Sequence, residues 1–156
     1  MHSNSFKKIE KFRDDFLSKD DELKIIDICG LSKDEPCDFI FNEENWEFKT
    51  VKVSKDGNVE EEIEDESVDV IVIGQTFERV YYFWVLLSEM ARILKPNGYL
   101  CAIISSHGAF ALKGDYYRFH PDSFEALVKL IGLEIVSNVI DPMNAWRNVT
   151  IVARKK

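Results

Sequence analysis

From Glu66 to Pro121 the chain reads ESVDVIVIGQTFERVYYFWVLLSEMARILKPNGYLCAIISSHGAFALKGDYYRFHP, and the order of patterns in this stretch decides the fold. Val68 to Ile73 is nearly all β-branched and apolar, as expected of a strand covered on both faces. Val80, Trp84, Leu87, Ala91 and Leu94 then recur in steps of four and three, a helical stripe that Phe83, Leu86, Met90 and Ile93 widen. Pro96, Asn97 and Gly98 stop that helix and turn the chain, and Tyr99 to Ile104 is the next covered strand. Strand, helix and strand in this order make a right-handed βαβ unit, and ligands of such sheets bind beyond the carboxyl ends of the strands.

The flanking segments extend the same alternation. Phe6, Ile9, Phe12, Phe16 and Leu17 lie on one helical face, with Asn4 or Ser5 as candidate N-cap. Lys24 to Cys29 is a short strand interrupted by Asp27, and Cys29 to Ser32 is its turn. Trp46 to Val53 is a second strand, and Phe39, Ile40 and Phe41 before it require burial. Pro121 and Gly132 bracket a helix that turns Phe124, Leu127, Val128 and Ile131 inward. Leu133 to Val139 and Val149 to Ala153 are the closing strands, and the short link between them predicts antiparallel pairing. The expectation is one α/β domain over residues 1–156, with residues 1–22 as an amphipathic helix packed on a mainly parallel sheet covered on both faces.

A net charge of −8 argues against nucleic acid, which requires clustered Lys and Arg. The acidic run Glu60, Glu61, Glu62, Glu64, Asp65 and Glu66 reads as a solvated loop. Cys29, Cys37 and Cys101 are odd in number and lack CxxC spacing, which fits a reduced, cytoplasmic setting and no metal site. No segment has the length of a membrane span, and the amino terminus carries no signal-like apolar run.

Four polar clusters gather at the predicted strand ends: 27–32, 52–55, 74–78 and 105–108. Gly74 allows close backbone approach, and Gln75 offers a donor and an acceptor. His107 is the histidine nearest a strand end and the best candidate general base. Asp115 and Arg118 can orient a polar substrate or pair with each other to order the loop, and Tyr116, Tyr117 and Phe119 can wall a pocket.

Gly74-Gln-Thr-Phe-Glu-Arg-Val-Tyr-Tyr-Phe-Trp84, Glu89-Met-Ala-Arg-Ile-Leu-Lys-Pro-Asn-Gly98 and Asp115-Tyr-Tyr-Arg-Phe-His-Pro-Asp122 together resemble class I S-adenosylmethionine-dependent methyltransferases, in particular the short type found with glycan gene clusters. The resemblance runs from about Leu23 to the carboxyl terminus. It implies a Rossmann-like sheet of seven strands with the last reversed, and S-adenosylmethionine as cofactor. It also implies a small polar or glycan-linked acceptor. By that resemblance Asp27, Cys29, Gly30, Lys52, Gly74, Gln75 and Phe77 border the cofactor. His107 or Asp115 accepts the proton, and Tyr116, Tyr117 and Arg118 shape the acceptor site. The chain departs from the family pattern at four places. No further glycine follows Gly30 in the turn through Pro36, Lys52 replaces the ribose-gripping acid, Arg79 replaces the usual histidine, and Ala111 stands near the place of a loop histidine. These departures raise a second reading: a catalytically degenerate methyltransferase fold that binds or regulates a partner, as a homo- or hetero-dimer.

Overall fold

The computed structural model describes residues 3–29, 37–109, 113–141 and 145–156. In chain order the elements are α1 (Ser3–Phe16), β1 (Leu23–Cys29), β2 (Trp46–Lys52), β3 (Val68–Gly74), α2 (Phe83–Ile93), β4 (Leu94–Ser105), α3 (Pro121–Leu130), β5 (Leu133–Ile140) and β6 (Asn148–Lys155). Single 3₁₀ turns at Asp38–Ile40 and Phe77–Arg79 interrupt the links. The strands form one sheet in the order β2-β1-β3-β4-β6-β5, with β6 antiparallel to both neighbours and the other described pairs parallel.

Strand alternation sorts the core into two layers. Ile26 and Ile28 of β1, Ile71 and Ile73 of β3, Leu100, Ala102 and Ile104 of β4, and Val149 and Ile151 of β6 face α2 and α3. Ile25, Val70, Val72, Cys101, Ile103 and Val152 point the other way, onto Ile9 and Phe12 of α1 and onto Cys37, Ile40 and Phe41. Helices therefore cover both faces, as the covered-strand pattern requires.

Several details differ from the sequence reading. Six strands are present among the described residues rather than seven. The link from β2 to β3 makes a single bridge, Val53 to Val59, and lies against α2. Phe39 is 54% exposed while Ile40 and Phe41 are buried. The first helix begins at Ser3, so Asn4 and Ser5 lie inside its first turn. Pro96 to Gly98 form an irregular opening to β4: Leu94 pairs with Val68, the register slips, and Tyr99 pairs with Val70. Asn97 takes a φ of 67° there.

The α2 helix also starts later than its stripe predicts, at Phe83 rather than Val80. Tyr81 donates its N–H to Lys55 O at 2.7 Å, and Tyr81 O accepts the Tyr117 hydroxyl at 2.8 Å. Those backbone groups are satisfied by neighbours, so the helix gains nothing by extending backward. The buried face becomes Leu86, Leu87, Met90 and Ile93, and Trp84 turns outward. Among the described residues no helix is long and apolar enough to cross a membrane, and no group of His, Cys, Asp and Glu is placed to hold a metal ion.

Gly57 sets how closely the β2–β3 link approaches α2. Its φ is 85°, and a Cβ there would stand 2.5 Å from Tyr82 O. Gly132 has a similar φ of 84° but open space around it. Gly132→Ala should therefore show backbone strain alone, about 1–2 kcal/mol. Gly57→Ala should cost a further ~1–3 kcal/mol from the clash. Urea denaturation midpoints of the two variants check this, and equal midpoints would refute the close approach.

Candidate functional site at the strand tips

The carboxyl tips of β1, β3 and β4 lie side by side. Ile28 pairs with Ile73, Cys29 with Lys52, and Gly74 with Ile103, which puts Ser105 two residues further along the same edge. Immediately after β3, Gln75 adopts a φ of 51° and donates its N–H to Ile103 O at 2.7 Å. A left-handed non-glycine residue costs roughly 1–3 kcal/mol and persists where its surroundings enforce it. Here Thr76 helps, since its buried hydroxyl reaches Gly74 O at 3.2 Å and Ile28 O at 3.4 Å. The turn bends the chain away from the sheet and leaves Gln75 half-buried at the edge.

Glu78 organises the next layer. Its side chain is buried, its Oε1 accepts the Ser105 N–H, and its backbone O accepts from Tyr116 N at 2.7 Å and Tyr117 N at 3.1 Å. One residue thus joins the exit from β3, the tip of β4 and the Asp115–Phe119 loop. Its Oε2 has no hydrogen-bond partner among the described residues. Burial pushes the carboxyl up to about 7, against the lowering pull of backbone N–H groups, Ser105 and the Arg118 charge. Ser105 Oγ reaches Asn148 Oδ1 at 3.4 Å, so the start of β6 closes the cluster.

His107 follows β4 on an exposed turn, and its hydrogen bonds define its tautomer. Ser106 Oγ donates to Arg147 O at 2.7 Å and lies 2.8 Å from His107 Nδ1. A hydroxyl has one proton to donate. With that proton on Arg147 O, Ser106 Oγ accepts from Nδ1–H. Nε2 then carries the free lone pair. The arrangement places the imidazole at the carboxyl edge of the sheet, with Nε2 as the basic nitrogen of this tautomer. Nearby, Arg118 grips Asp115 through both guanidinium nitrogens at 2.6 and 2.5 Å, donates to Tyr117 O and Ala109 O, and lies 5.4 Å from the centroid of the Trp146 ring.

The geometry sorts the sequence-derived residues. Gly74, Gln75, Lys52, His107, Tyr116, Tyr117 and Arg118 lie on or beside the carboxyl edge, with Lys52 exposed at the end of β2. Gly30 lies outside the described residues. Three side chains are placed away from the edge. Asp27 is fully buried on the α1 side, where its Oδ2 accepts from Cys37 N at 3.3 Å and from the Cys37 thiol at 3.2 Å. The Cys29 thiol turns the same way, 3.6 Å from Asp27 Oδ2, and only its backbone stands at the tip. Phe77 is fully buried, packed edge-on against Phe124 at 5.0 Å and Phe119 at 6.3 Å, and supports the site from beneath. Asp115 is committed to Arg118, which leaves His107 as the better-placed base. Glu78 was missed as a site residue because a single Glu before a helix carries no sequence signal of its burial.

The raised Glu78 carboxyl makes a pH-dependent prediction. Between the ordinary value of 4.5 and about 7 the unfolded chain loses this proton while the folded one keeps it, so this group's effect on stability becomes less favourable as pH rises. The full effect, present above about 7, is roughly 3 kcal/mol. Glu78→Gln keeps an acceptor for Ser105 N–H and cannot ionise. Its stability relative to the parent should rise between pH 4 and pH 8, measured by urea denaturation at both values. An unchanged difference would show that Glu78 does not titrate in this range.

A family model described as a methyltransferase domain matches residues 31–102. No curated protein matches the chain in sequence. Solved structures are similar over nearly the whole chain at low identity. A S-adenosylmethionine-dependent methyltransferase from Aquifex aeolicus aligns with TM-score 0.66 and 13% identity, covering 100% of both chains. The [4+2]-cyclase SpnF aligns with TM-score 0.71 and 11% identity over 97% of this chain and 81% of its own. A chain of the Haloferax volcanii complex between the Trm112 methyltransferase activator and a methyltransferase gives 0.63 and 14%, with 97% and 94% covered. The strand order with its reversed β6 and this breadth of structural likeness show the class I S-adenosylmethionine-dependent methyltransferase fold, and the matched segment supplies its centre.

Proposed function

We propose that this protein transfers a methyl group from S-adenosylmethionine to an oxygen or nitrogen of a small polar acceptor, with a sugar or glycan-linked acceptor as the first choice. The observation that carries this reading is the free Nε2 of His107 beside the grouped tips of β1, β3 and β4. The residues present fit the cofactor in a modified way. Gly74 and Gln75 stand at the tip of β3, where the adenosyl group would lie. Lys52, where an acid is usual, can donate to ribose hydroxyls, which accept as well as donate. The cofactor, when bound, supplies an electrophilic methyl on a sulfonium. The chain's part is alignment and proton removal. His107 Nε2 takes the proton that the acceptor loses as its new bond to the methyl forms. The Ser106 hydroxyl holds the ring in the required tautomer, and the Arg118–Asp115 pair stiffens the loop that carries Tyr116 and Tyr117.

A second reading is favoured by Lys52 and by the sealed Asp27. Without the two acidic contacts usual at the ribose and methionine ends, the same cleft would suit an anionic ligand, and the fold would act as a regulatory partner. Similar folds support that breadth: one similar structure is a cyclase, and another is solved with an activator protein.

Calorimetry with S-adenosylmethionine and S-adenosylhomocysteine separates the readings. Methyl transfer requires measurable binding, and ligand at about 100 times its dissociation constant should add roughly 2.7 kcal/mol of stability. No heat and no thermal shift at millimolar ligand would exclude methyl transfer. Binding gained on Lys52→Asp alone would then support the degenerate reading. For an active enzyme, His107→Gln should lower kcat by ~100-fold with little change in KM and remove the acid limb of the pH–rate profile. An unchanged profile would assign the proton to another group.

A further inference from the structure

The exposed side of α2 carries a set of aromatic rings that the site does not use. Tyr81 and Tyr82 are each 47% exposed and Trp84 is 52% exposed, although Trp84 belongs to the apolar stripe of the sequence. The rings form a continuous ladder: Tyr116 to Tyr81 at 4.1 Å, Tyr81 to Tyr82 at 6.1 Å, and Tyr82 to Trp84 at 5.4 Å. The ladder is held rigidly, because Tyr81 is bonded on both sides by Lys55 O and the Tyr117 hydroxyl, and Gly57 fits against Tyr82 O. Exposed, pre-ordered Tyr and Trp side chains are the residues that dominate protein interfaces, since little entropy is lost on contact.

The acidic run lies along the same helix. The link that carries it packs Gly57 against Tyr82 and Leu86, bonds Glu60 N to Lys52 O at 2.9 Å, and ends at Arg92, where Glu66 N donates to Arg92 O at 2.9 Å and Asp65 pairs with the guanidinium. Ile63 anchors the run in the core, while Glu60, Glu62 and Glu64 point to solvent and take no ion pair among the described residues. The helix between them has 11 residues, so one bound segment spans both features.

The geometry points to a docking surface for a basic polypeptide segment, which sets apolar side chains on the Tyr81–Tyr82–Trp84 ladder and Lys or Arg side chains against Glu60, Glu62 and Glu64. Charge selects this occupant. Phosphate-bearing partners and anionic membranes meet repulsion from the acidic strip and from the net charge of −8. A second copy docked face to face would oppose one acidic strip with another. Arginine or lysine over the exposed rings adds cation–π attraction.

The test measures anisotropy of two labelled synthetic peptides, an amphipathic Lys–Leu helix and its Glu–Leu counterpart, with the full chain. The Lys–Leu peptide should bind and weaken as salt rises from about 0.05 to 0.5 M. The Glu–Leu peptide should not bind. Trp84→Ala should weaken the Lys–Leu peptide by ~10-fold or more. The triple change Glu60→Gln, Glu62→Gln and Glu64→Gln should flatten the salt dependence. These four side chains face solvent, so thermal melts of both variants should match the parent. Equal binding of the two peptides, or Lys–Leu binding unaffected by either variant, overturns the proposal. A concentration-dependent dimer in sedimentation that Trp84→Ala dissolves overturns it in favour of a second copy.

Discussion

The buried carboxylate of Glu78 is the constraint around which the carboxyl edge of this sheet is arranged. Its side chain takes the amide of Ser105, and its main chain takes the amides of Tyr116 and Tyr117. The exit from β3, the tip of β4 and the Asp115–Phe119 loop are thereby joined at one residue. Because the group is buried, leaving any of these donors unpaired would cost far more than an average hydrogen bond contributes. The loop that carries Asp115 to Phe119 is tied down further by Phe119 N on Ser105 O and the Tyr117 hydroxyl on Tyr81 O, and Phe77, one residue before Glu78, fixes the same turn to the aromatic core.

The sheet was legible because its strands are covered. Continuous β-branched runs such as Val68 to Ile73 have few alternatives, and the two core layers follow from their alternation. The reversed pairing of the last two strands followed from the short link between them. The start of α2 was not legible. Periodicity reports which residues are apolar, not where backbone donors find partners, and Tyr81 finds Lys55 O and the Tyr117 hydroxyl from distant segments. The outward turn of Trp84 is the direct consequence.

The site was legible in position more than in roles. Strand ends can be read from sequence, so Gly74, Gln75 and His107 fell at the edge as expected. Side-chain direction depends on what fills the opposite layer. Asp27 lies in the α1-facing register of β1, where Cys37 and Cys29 enclose it, so its strand position misleads. Asp115 and Arg118 admitted two interpretations in the sequence, and the bidentate pair selects the structural one. The free nitrogen of His107 depends on a hydrogen bond from Ser106 to Arg147 O, which joins residues 41 positions apart.

The cleft proposed for the ligand lies at the grouped tips of β1, β3 and β4. Amide chemical-shift mapping during a titration with S-adenosylhomocysteine tests this most directly. Shifts concentrated at Cys29, Lys52, Gly74, Gln75 and Ser105 to Gly108 are the predicted result. Shifts confined to the opposite edge, at Leu23, Trp46 and Ser67, would contradict it.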